Sequence, residues 1–317
     1  MNSGNSKNIV IIANGFIPYD MFFNACKANN DLTFPVYPAW PFNSSNFFAT
    51  KVFRKIFSIL AFSCMLDFFW KIPLKTIENC SSIIIHDGLP FCLLLLRIIS
   101  RRFKNKKLII YYFNKICDWN KRIYDYCKKI KCEQWSFDEK DCLRYNLNYN
   151  KTFIFATNVN AFFQKNTIDV FFFGASKERT EKIAKASQIL KRLNLSVDIR
   201  IADKKSEYIP YVKVCEYVQK SLAILDISIN GQYGPTQREM EALFYRKKLI
   251  TTNEAVKDRD YYNENNIYYL DLNKSEHDDL VDFLRKPYLE IDESIIESYS
   301  YNAWVGRFFE GEKNDKL

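Results

Sequence analysis

Short apolar runs alternate with amphipathic stretches along the whole chain. In the first half the pattern predicts helices at residues 89–100 and 118–129, between strands at residues 8–13, 82–86, 108–113 and 133–137. In the second half it predicts helices at residues 178–193, 211–220, 237–245 and 293–310, and strands at residues 153–156, 169–173, 196–201, 222–227, 248–252 and 267–270. Uninterrupted apolar runs are typical of strands buried on both faces. Their alternation with helices predicts an α/β protein with parallel sheets.

The length of the chain predicts two domains, each with its own sheet. A chain of 317 residues is long for one core and suits two domains of about 150 residues each. The stretch at residues 150–165 is rich in Asn and poor in charge, which favours a boundary there. We therefore expect an N-terminal domain at residues 1–155 and a C-terminal domain at residues 156–317.

The positive charge of the protein is concentrated in one segment. Residues 97–131 contain twelve Lys and Arg against two Asp, a net +10, whereas the whole chain carries +9. Such a patch indicates an anionic partner, which is lipid headgroups, a polyphosphate or nucleic acid, or else a solvated basic face. Residues 51–75 mix aromatic and basic side chains, which favours either contact with an anionic membrane surface or a core helix.

Cysteine and histidine usage limits the possible chemistry. The nine Cys form no CxxC pair and only two His are present, so no metal site is expected. The cysteines in apolar runs indicate a reducing compartment, and the N-terminus has no signal-peptide pattern. We expect a cytoplasmic protein, with a peripheral position at the inner face of the cell membrane as the location that the basic patch favours.

The most informative stretch is the loop and helix that follow the strand predicted at residues 222–227. Thr236 and Glu239 have the spacing of a capping box, which predicts a helix beginning directly after Thr236. Arg238 and Glu241 are three residues apart and share a helix face. At the carboxyl end of a parallel strand this arrangement favours an anion site, with Arg238 on a diphosphate. A surface ion pair of small energetic effect is the alternative.

Three further groups of residues follow predicted strands and are candidates for the same kind of site. Gly174, Lys177 and Arg179 combine a residue that permits close backbone approach with two cations. The loop before the capping box adds Gln232 and Tyr233 to the candidate donor site. In the first half the possible cleft residues are Gly15, Phe16 and Asn114. There is no GxGxxG and no Walker A sequence, so dinucleotide and P-loop NTPase functions lose support.

About half of the chain resembles the GT-B glycosyltransferases of bacterial capsule, O-antigen and lipopolysaccharide assembly. The resemblance lies in WSFDEKDCLRYNL at 135–147, FFFG at 171–174, IPYVKVCEYVQKSLAILDI at 209–227 and GQYGPTQREMEALFYRKKLITTN at 231–253. It implies two Rossmann-like domains that face a cleft, with the last helix crossing back to the first domain. In that family the Glu before Ala-Leu binds the donor ribose, and this Glu corresponds to Glu241.

One position departs from the family pattern. Many retaining members carry a second Glu eight positions before the ribose-binding one, where this chain has Tyr233. An inverting enzyme needs a general base on the acceptor side. Asp87 follows the strand at residues 82–86 and is the candidate base, and its alternative role is to cap the helix predicted at residues 89–100.

The resemblance implies a hexosyltransferase-like enzyme. It would transfer a sugar from a nucleoside diphosphate donor, with UDP-sugar favoured, to a surface-polysaccharide or lipid-linked acceptor. Metal independence is expected because Arg238, Lys177 or Arg179 and helix-terminal amides would hold the diphosphate, and no DxD-like metal motif with a clear role stands at a strand end. No cofactor is expected, because the nucleotide sugar is a substrate, and no nucleic acid is expected as partner because no RNA-binding signature is present. Two alternatives remain: a noncatalytic nucleotide-sugar or nucleic-acid binding module of the same fold, and a nucleotide-sugar epimerase.

Overall fold

The computed structural model describes residues 9–14, 36–39, 74–89, 91–153, 166–204, 207 and 209–309. The chain divides into two compact units, Met1–Asn150 and Lys151–Leu317. The sequence placed the boundary between residues 155 and 156, and the division of the structure falls between residues 150 and 151. Both units are α/β, each built on a parallel sheet.

The first unit contains a sheet with strand order β2-β1-β3-β4-β5-β6. Its strands are β1 (Ile9–Asn14), β2 (Val36–Ala39), β3 (Ser82–His86), β4 (Lys107–Tyr112), β5 (Glu133–Ser136) and β6 (Asn148–Tyr149). Its described helices are α1 (Leu74–Asn79), α2 (Cys92–Arg102), α3 (Lys121–Lys129) and α4 (Glu139–Tyr145). All five residues of β3 are buried, because both faces of this central strand are covered.

The second unit contains a sheet with strand order β11-β10-β9-β7-β8. Its strands are β7 (Ile168–Gly174), β8 (Val197–Ile201), β9 (Ser221–Asp226), β10 (Lys248–Thr251) and β11 (Ile267–Tyr269). Its described helices are α5 (Thr180–Arg192), α6 (Tyr211–Lys220), α7 (Gln237–Phe244), α8 (Asp279–Arg285), α9 (Glu293–Ser298) and α10 (Tyr301–Arg307). Val170 and Phe172 of β7 share one apolar core with Leu225 of β9 and Ile183 of α5.

Each sheet has a point where the strand order reverses. In the second sheet the chain leaves β7 toward β8 on one side and returns to place β9 on the other side. In the first sheet β2 and β3 flank β1 in the same way. Such reversals open a crevice between neighbouring loops at the carboxyl ends of the strands, where open α/β sheets bind ligands.

Most of the predicted elements are present, and the differences concern one predicted strand, five missed elements and one predicted helix. Nine of the ten predicted strands agree with the structure to within one residue at each end. For the tenth, at residues 153–156, only Phe153 is described and it is not in a strand. The sequence analysis missed α1, α4, α8, β2 and β6. The helix predicted at residues 293–310 is wrong as one element, because Ser300 interrupts it and caps a new helix by accepting the N–H of Ala303 at 3.2 Å.

The described residues test one part of the membrane prediction, the presence of a spanning helix. Among the described residues, no helix is both long enough and apolar enough to cross a bilayer. The aromatic and basic stretch at residues 51–75 lies outside the described part of the chain, except for its last two residues, which begin α1.

Candidate functional site

Two arginines meet at the carboxyl edge of the second sheet, at the reversal between β7 and β9. A Cβ atom added to Gly174, the last residue of β7, would lie 2.9 Å from Nη1 of Arg238 and 3.3 Å from Nη2 of Arg179. Both guanidiniums also lie near the ring of Phe172, at 5.1 and 5.7 Å from its centroid. The absence of a side chain at position 174 therefore lets two cations approach one strand end, above the electron-rich face of an aromatic ring.

Arg179 is the buried member of the pair. Its Nη1 donates to the carbonyl oxygen of Ile227 at 2.5 Å, and its Nε and Nη2 donate to the carbonyl of Ala175 at 3.2 and 2.8 Å. Burial, and then the charge of Arg238, lower the pKa of Arg179 to about 10. The guanidinium thus ties the loop after β7 to the loop after β9 and also adds positive charge to the crevice.

Arg238 is the accessible member of the pair. It lies in the first turn of α7, and its side chain is 15% exposed. Its Nε donates to Oδ1 of Asp226 at 3.0 Å, and its Nη1 donates to the carbonyl of Phe173 at 3.2 Å. These contacts use Nε and Nη1, and among the described residues no hydrogen bond engages Nη2, whose N–H groups are available to an anion.

Asp226, the last residue of β9, organises this edge of the sheet. Its side chain is fully buried and accepts hydrogen bonds from Thr236 at 2.9 Å, Arg238 at 3.0 Å and Thr251 at 2.9 Å. These donors come from the cap of α7, the first turn of α7 and the end of β10. One carboxylate therefore fixes the position of Arg238 relative to the sheet, a role that the sequence analysis did not assign.

The capping box predicted at the start of α7 is present. The hydroxyl of Thr236 accepts the N–H of Glu239 at 3.2 Å, and a carboxylate oxygen of Glu239 accepts the N–H of Thr236 at 3.2 Å. The other oxygen of Glu239 accepts the hydroxyl proton of Tyr261 at 2.8 Å. Burial, and then Asp226, raise the pKa of Glu239 to about 7.

Glu241 lies one turn further along α7 and faces the interior. It is 5% exposed, and its Oε1 accepts the hydroxyl proton of Tyr211 at 2.8 Å. Burial raises its pKa to about 7, against the lowering effects of Tyr211 and Arg238. The alternative of a surface pair between Glu241 and Arg238 is therefore wrong, because the hydrogen-bond partners of these two side chains are Tyr211 and Asp226, respectively.

Hydrogen bonds within the loop between β9 and α7, and from this loop to residues 253–259, fix its position. The side-chain amide of Gln232 donates to the carbonyl of Gly234 at 3.3 Å, and the hydroxyl of Tyr233 donates to Asp258 at 2.7 Å. The carbonyl of Tyr233 accepts from Asn253 at 3.2 Å and also from Arg259. These bonds fix the loop that leads into the first turn of α7, where Arg238 lies. Lys177 belongs to a 3₁₀ turn at Lys177–Arg179, and its side chain lies outside the described part of the structure.

Asp87 follows β3 at the carboxyl edge of the first sheet and is 1% exposed. Its carboxylate accepts from the N–H of Phe113 at 2.9 Å, from the Asn120 amide at 3.1 Å and from the Asn114 amide at 3.4 Å. Burial raises its pKa to about 6, against the lowering effect of these donors. A carboxyl group with that pKa changes its protonation state close to neutral pH, as a general base requires.

The alternative role of Asp87 as a helix cap is wrong. Helix α2 begins at Cys92, its N-cap residue is Phe91 in a left-handed conformation, and no side chain caps it. Of the other first-unit candidates, Asn114 is exposed and lies against Asp87, whereas Gly15 and Phe16 lie outside the described residues.

The structure therefore gathers most of the candidate donor residues at one strand edge of the second unit, and Asp87 with Asn114 at one strand edge of the first. Asp226 could have been found from its pattern, since an acid directly after the apolar run at 222–225 ends a buried strand. A comparison of the chain with protein-family models and with curated proteins found no match.

Proposed function

We propose that the protein is a glycosyltransferase of GT-B type, which transfers a sugar from a nucleoside diphosphate donor to a surface-polysaccharide or lipid-linked acceptor. A single observation carries the proposal: Arg179 and Arg238 meet over Gly174, at the reversal of the second sheet and at the start of α7. Two guanidiniums converge at one strand end, and Arg238 keeps N–H groups for a further contact, which suits the diphosphate of a donor.

The same residues support transfer without a metal ion. The diphosphate that leaves in glycosyl transfer carries developing negative charge, which fixed cations and helix N–H groups can stabilise. Arg238 has N–H groups that can contact the diphosphate directly, and the buried Arg179 adds a second positive charge at the same strand end. Uridine diphosphate sugars are the favoured donors, on the resemblance of the REMEAL helix to the GT-B donor site.

Asp87 is the proposed general base, and inversion is the proposed outcome. Its pKa of about 6 allows it to be ionised at neutral pH and to accept the proton of an acceptor hydroxyl. Tyr233 stands where many retaining members of the resembling group carry a Glu, so a second carboxylate for retention is missing from that position.

A noncatalytic nucleotide-sugar binding module is the second candidate, and the burial of Asp87 favours it. A carboxylate that is 1% exposed and that already accepts from three side-chain and backbone donors can act as a purely structural link. Peripheral binding to the inner face of the cell membrane is proposed with either function, because residues 97–131 hold a net +10.

The test begins with thermal shifts of the full chain against a panel of nucleotide sugars, since a bound donor stabilises the fold by mass action. Transfer and donor hydrolysis are then measured for the donors that bind, with and without a chelator. Arg238→Gln is compared with Arg200→Gln, because the guanidinium of Arg200 is engaged in the same sheet by its pair with Asp198 and by the ring of Tyr217. Donor binding that depends on Arg238 alone supports the site, and turnover separates the enzyme from the binding module.

Equal effects of the two arginine variants on donor binding would reject the donor site. Strict dependence of turnover on a divalent ion would reject the metal-independent mechanism. Binding without any turnover would leave the noncatalytic module as the function.

A further inference from the structure

The first unit contains a lysine-rich cavity at the edge of its sheet opposite to Asp87. The cavity has a volume of about 240 Å³ and lies between two connections, the one from α2 to β4 and the one from α3 to β5. Because the strands are parallel, both connections lie at their amino-terminal ends. The charged residues that line the cavity are Lys104, Lys106, Lys107, Lys131 and Glu133.

The four lysines differ in the contacts that their ammonium groups make with the protein. Lys106 donates to the carbonyl oxygens of Glu78 and Cys80, both at 2.6 Å, and Lys107 pairs with Glu133 at 3.1 Å. Lys104 and Lys131 are exposed, and no ion pair joins either of them to a described residue. After the one carboxylate is counted, the lining keeps an excess of three positive charges.

Helix ends explain only part of this charge. Cations near helix C-termini are favourable because they offset the negative end of the helix dipole, and α2 and α3 both end at this edge. Arg101 and Arg102 already lie in the last turn of α2, and Lys128 and Lys129 lie in the last turn of α3, where they offset the helix dipole. Those four side chains are not part of the cavity lining. The cavity lysines are therefore additional to the charges that the helix ends would need.

Lys131 has a backbone conformation that is unusual for lysine. Its φ is 56°, in the left-handed region that usually holds Gly after a helix. The N–H of the next residue, Cys132, donates back to the carbonyl of Cys127 at 3.0 Å, which completes the helix-ending turn. Lysine at this position costs backbone energy that Gly would avoid, yet Lys131 lines the cavity together with three other lysines.

We propose that this cavity is a binding site for a phosphate-bearing anion, separate from the donor crevice of the second unit. Lys104 and Lys131 contact the anion directly, and Lys106 adds charge from the cavity wall, whereas Glu133 neutralises Lys107. The shared chemistry is a phosphomonoester or diphosphate, carried either by a small soluble molecule or by the headgroup of an anionic lipid. The proposal does not depend on the glycosyltransferase function.

The experiment is calorimetric titration of the full chain with sodium pyrophosphate at low salt. Lys131→Gly removes one cation and places the residue that suits the left-handed backbone, so it is expected to keep the fold. Lys104→Gln removes a second cation, Glu133→Gln removes the only carboxylate of the lining, and Lys128→Gln is the control with an equal loss of charge on α3. A pyrophosphate site at the arginine pair would contribute equally to all variants and leaves the comparison intact.

We expect Lys131→Gly and Lys104→Gln each to weaken pyrophosphate binding by about two- to fivefold, the range of a partly exposed ion pair. Glu133→Gln should tighten it, and Lys128→Gln should leave it unchanged. A parallel sedimentation arm uses phosphatidylcholine vesicles with and without phosphatidate. The same variant order on phosphatidate vesicles assigns the lipid headgroup, and the order on pyrophosphate alone assigns a soluble ligand. Equal effects of Lys131→Gly and Lys128→Gln in both arms, or no binding in either, would overturn the proposal.

Discussion

Replacement of Asp226 by Asn tests whether one buried carboxylate holds the candidate donor site together. The variant keeps the shape of the side chain but removes its charge and converts one acceptor oxygen into a donor. The remaining oxygen can still accept from Thr236 and Arg238. The hydroxyl of Thr251 would have to turn and become an acceptor. The main loss is therefore the ion pair with Arg238.

The size of the effect follows from the burial of the two partners. Removal of one member of a buried ion pair costs about 3–5 kcal/mol. The side chain of Arg238 is 15% exposed and keeps its bond to the carbonyl of Phe173, so we expect a cost below this range, about 2–3 kcal/mol. Asp226→Ala should cost more, because it leaves three donors without their acceptor.

Urea unfolding followed by circular dichroism and tryptophan fluorescence measures this loss. At slopes of about 2–3 kcal/mol per M, the midpoint of the second unit should fall by about 1 M. Asp198→Asn is the matched control, because Asp198 pairs with Arg200 in the same sheet with 27% of its side chain exposed, and it should cost less than about 1 kcal/mol. Equal shifts for the two variants would refute the central role of Asp226. A large shift with unchanged donor affinity would separate stability from binding.

Three further predictions concern the proposed donor and acceptor sites. Gly174→Ala should lower donor affinity about tenfold, because the new methyl meets Nη1 of Arg238 at 2.9 Å and Nη2 of Arg179 at 3.3 Å; calorimetry measures the affinity, and thermal unfolding should show a smaller loss of stability than Asp226→Asn. Glu241→Gln should flatten the pH dependence of stability. Because the folded-state pKa of Glu241 is raised from 4.5 to about 7, its contribution is complete below pH 4.5 and is lost as pH rises through 7, while the Gln carbonyl still accepts from Tyr211. Asp87→Asn should abolish transfer and leave donor binding unchanged. With Asp87 present, the transfer rate should rise with pH through about 6, and a flat profile would argue against the base.

The central strands were predictable because each, as in β3 and β9, is a contiguous apolar run with polar residues at its ends. The two strands that the sequence analysis missed lack that signal. Strand β2 is four residues long and contains Pro38, and β6 is a polar pair at Asn148–Tyr149. Helix α4 was missed because its seven residues are mostly charged, and only Asp141 and Cys142 are buried.

The site was predictable only where its contacts are local. Thr236 and Glu239 are three residues apart, so their capping box follows from spacing alone. Asp226 meets partners that are ten, twelve and twenty-five residues further along the chain, and only the arrangement of β9, β10 and α7 brings them together. The burial of Glu241 against Tyr211 likewise depends on how α6 packs beside α7, which no spacing rule contains.

Asp87 and Asp226 occupy corresponding places in the two units, and the difference between their partners separates their roles in the proposed reaction. Each is a buried carboxylate at the carboxyl end of a strand, where it links neighbouring loops. Asp226 meets a guanidinium, whereas the donors to Asp87 are amides and a backbone N–H. Burial raises the pKa of Asp87 to about 6, and no cation among the described residues contacts its carboxylate to oppose this rise. Proton transfer therefore fits Asp87, and the placement of a cation for the donor diphosphate fits Asp226.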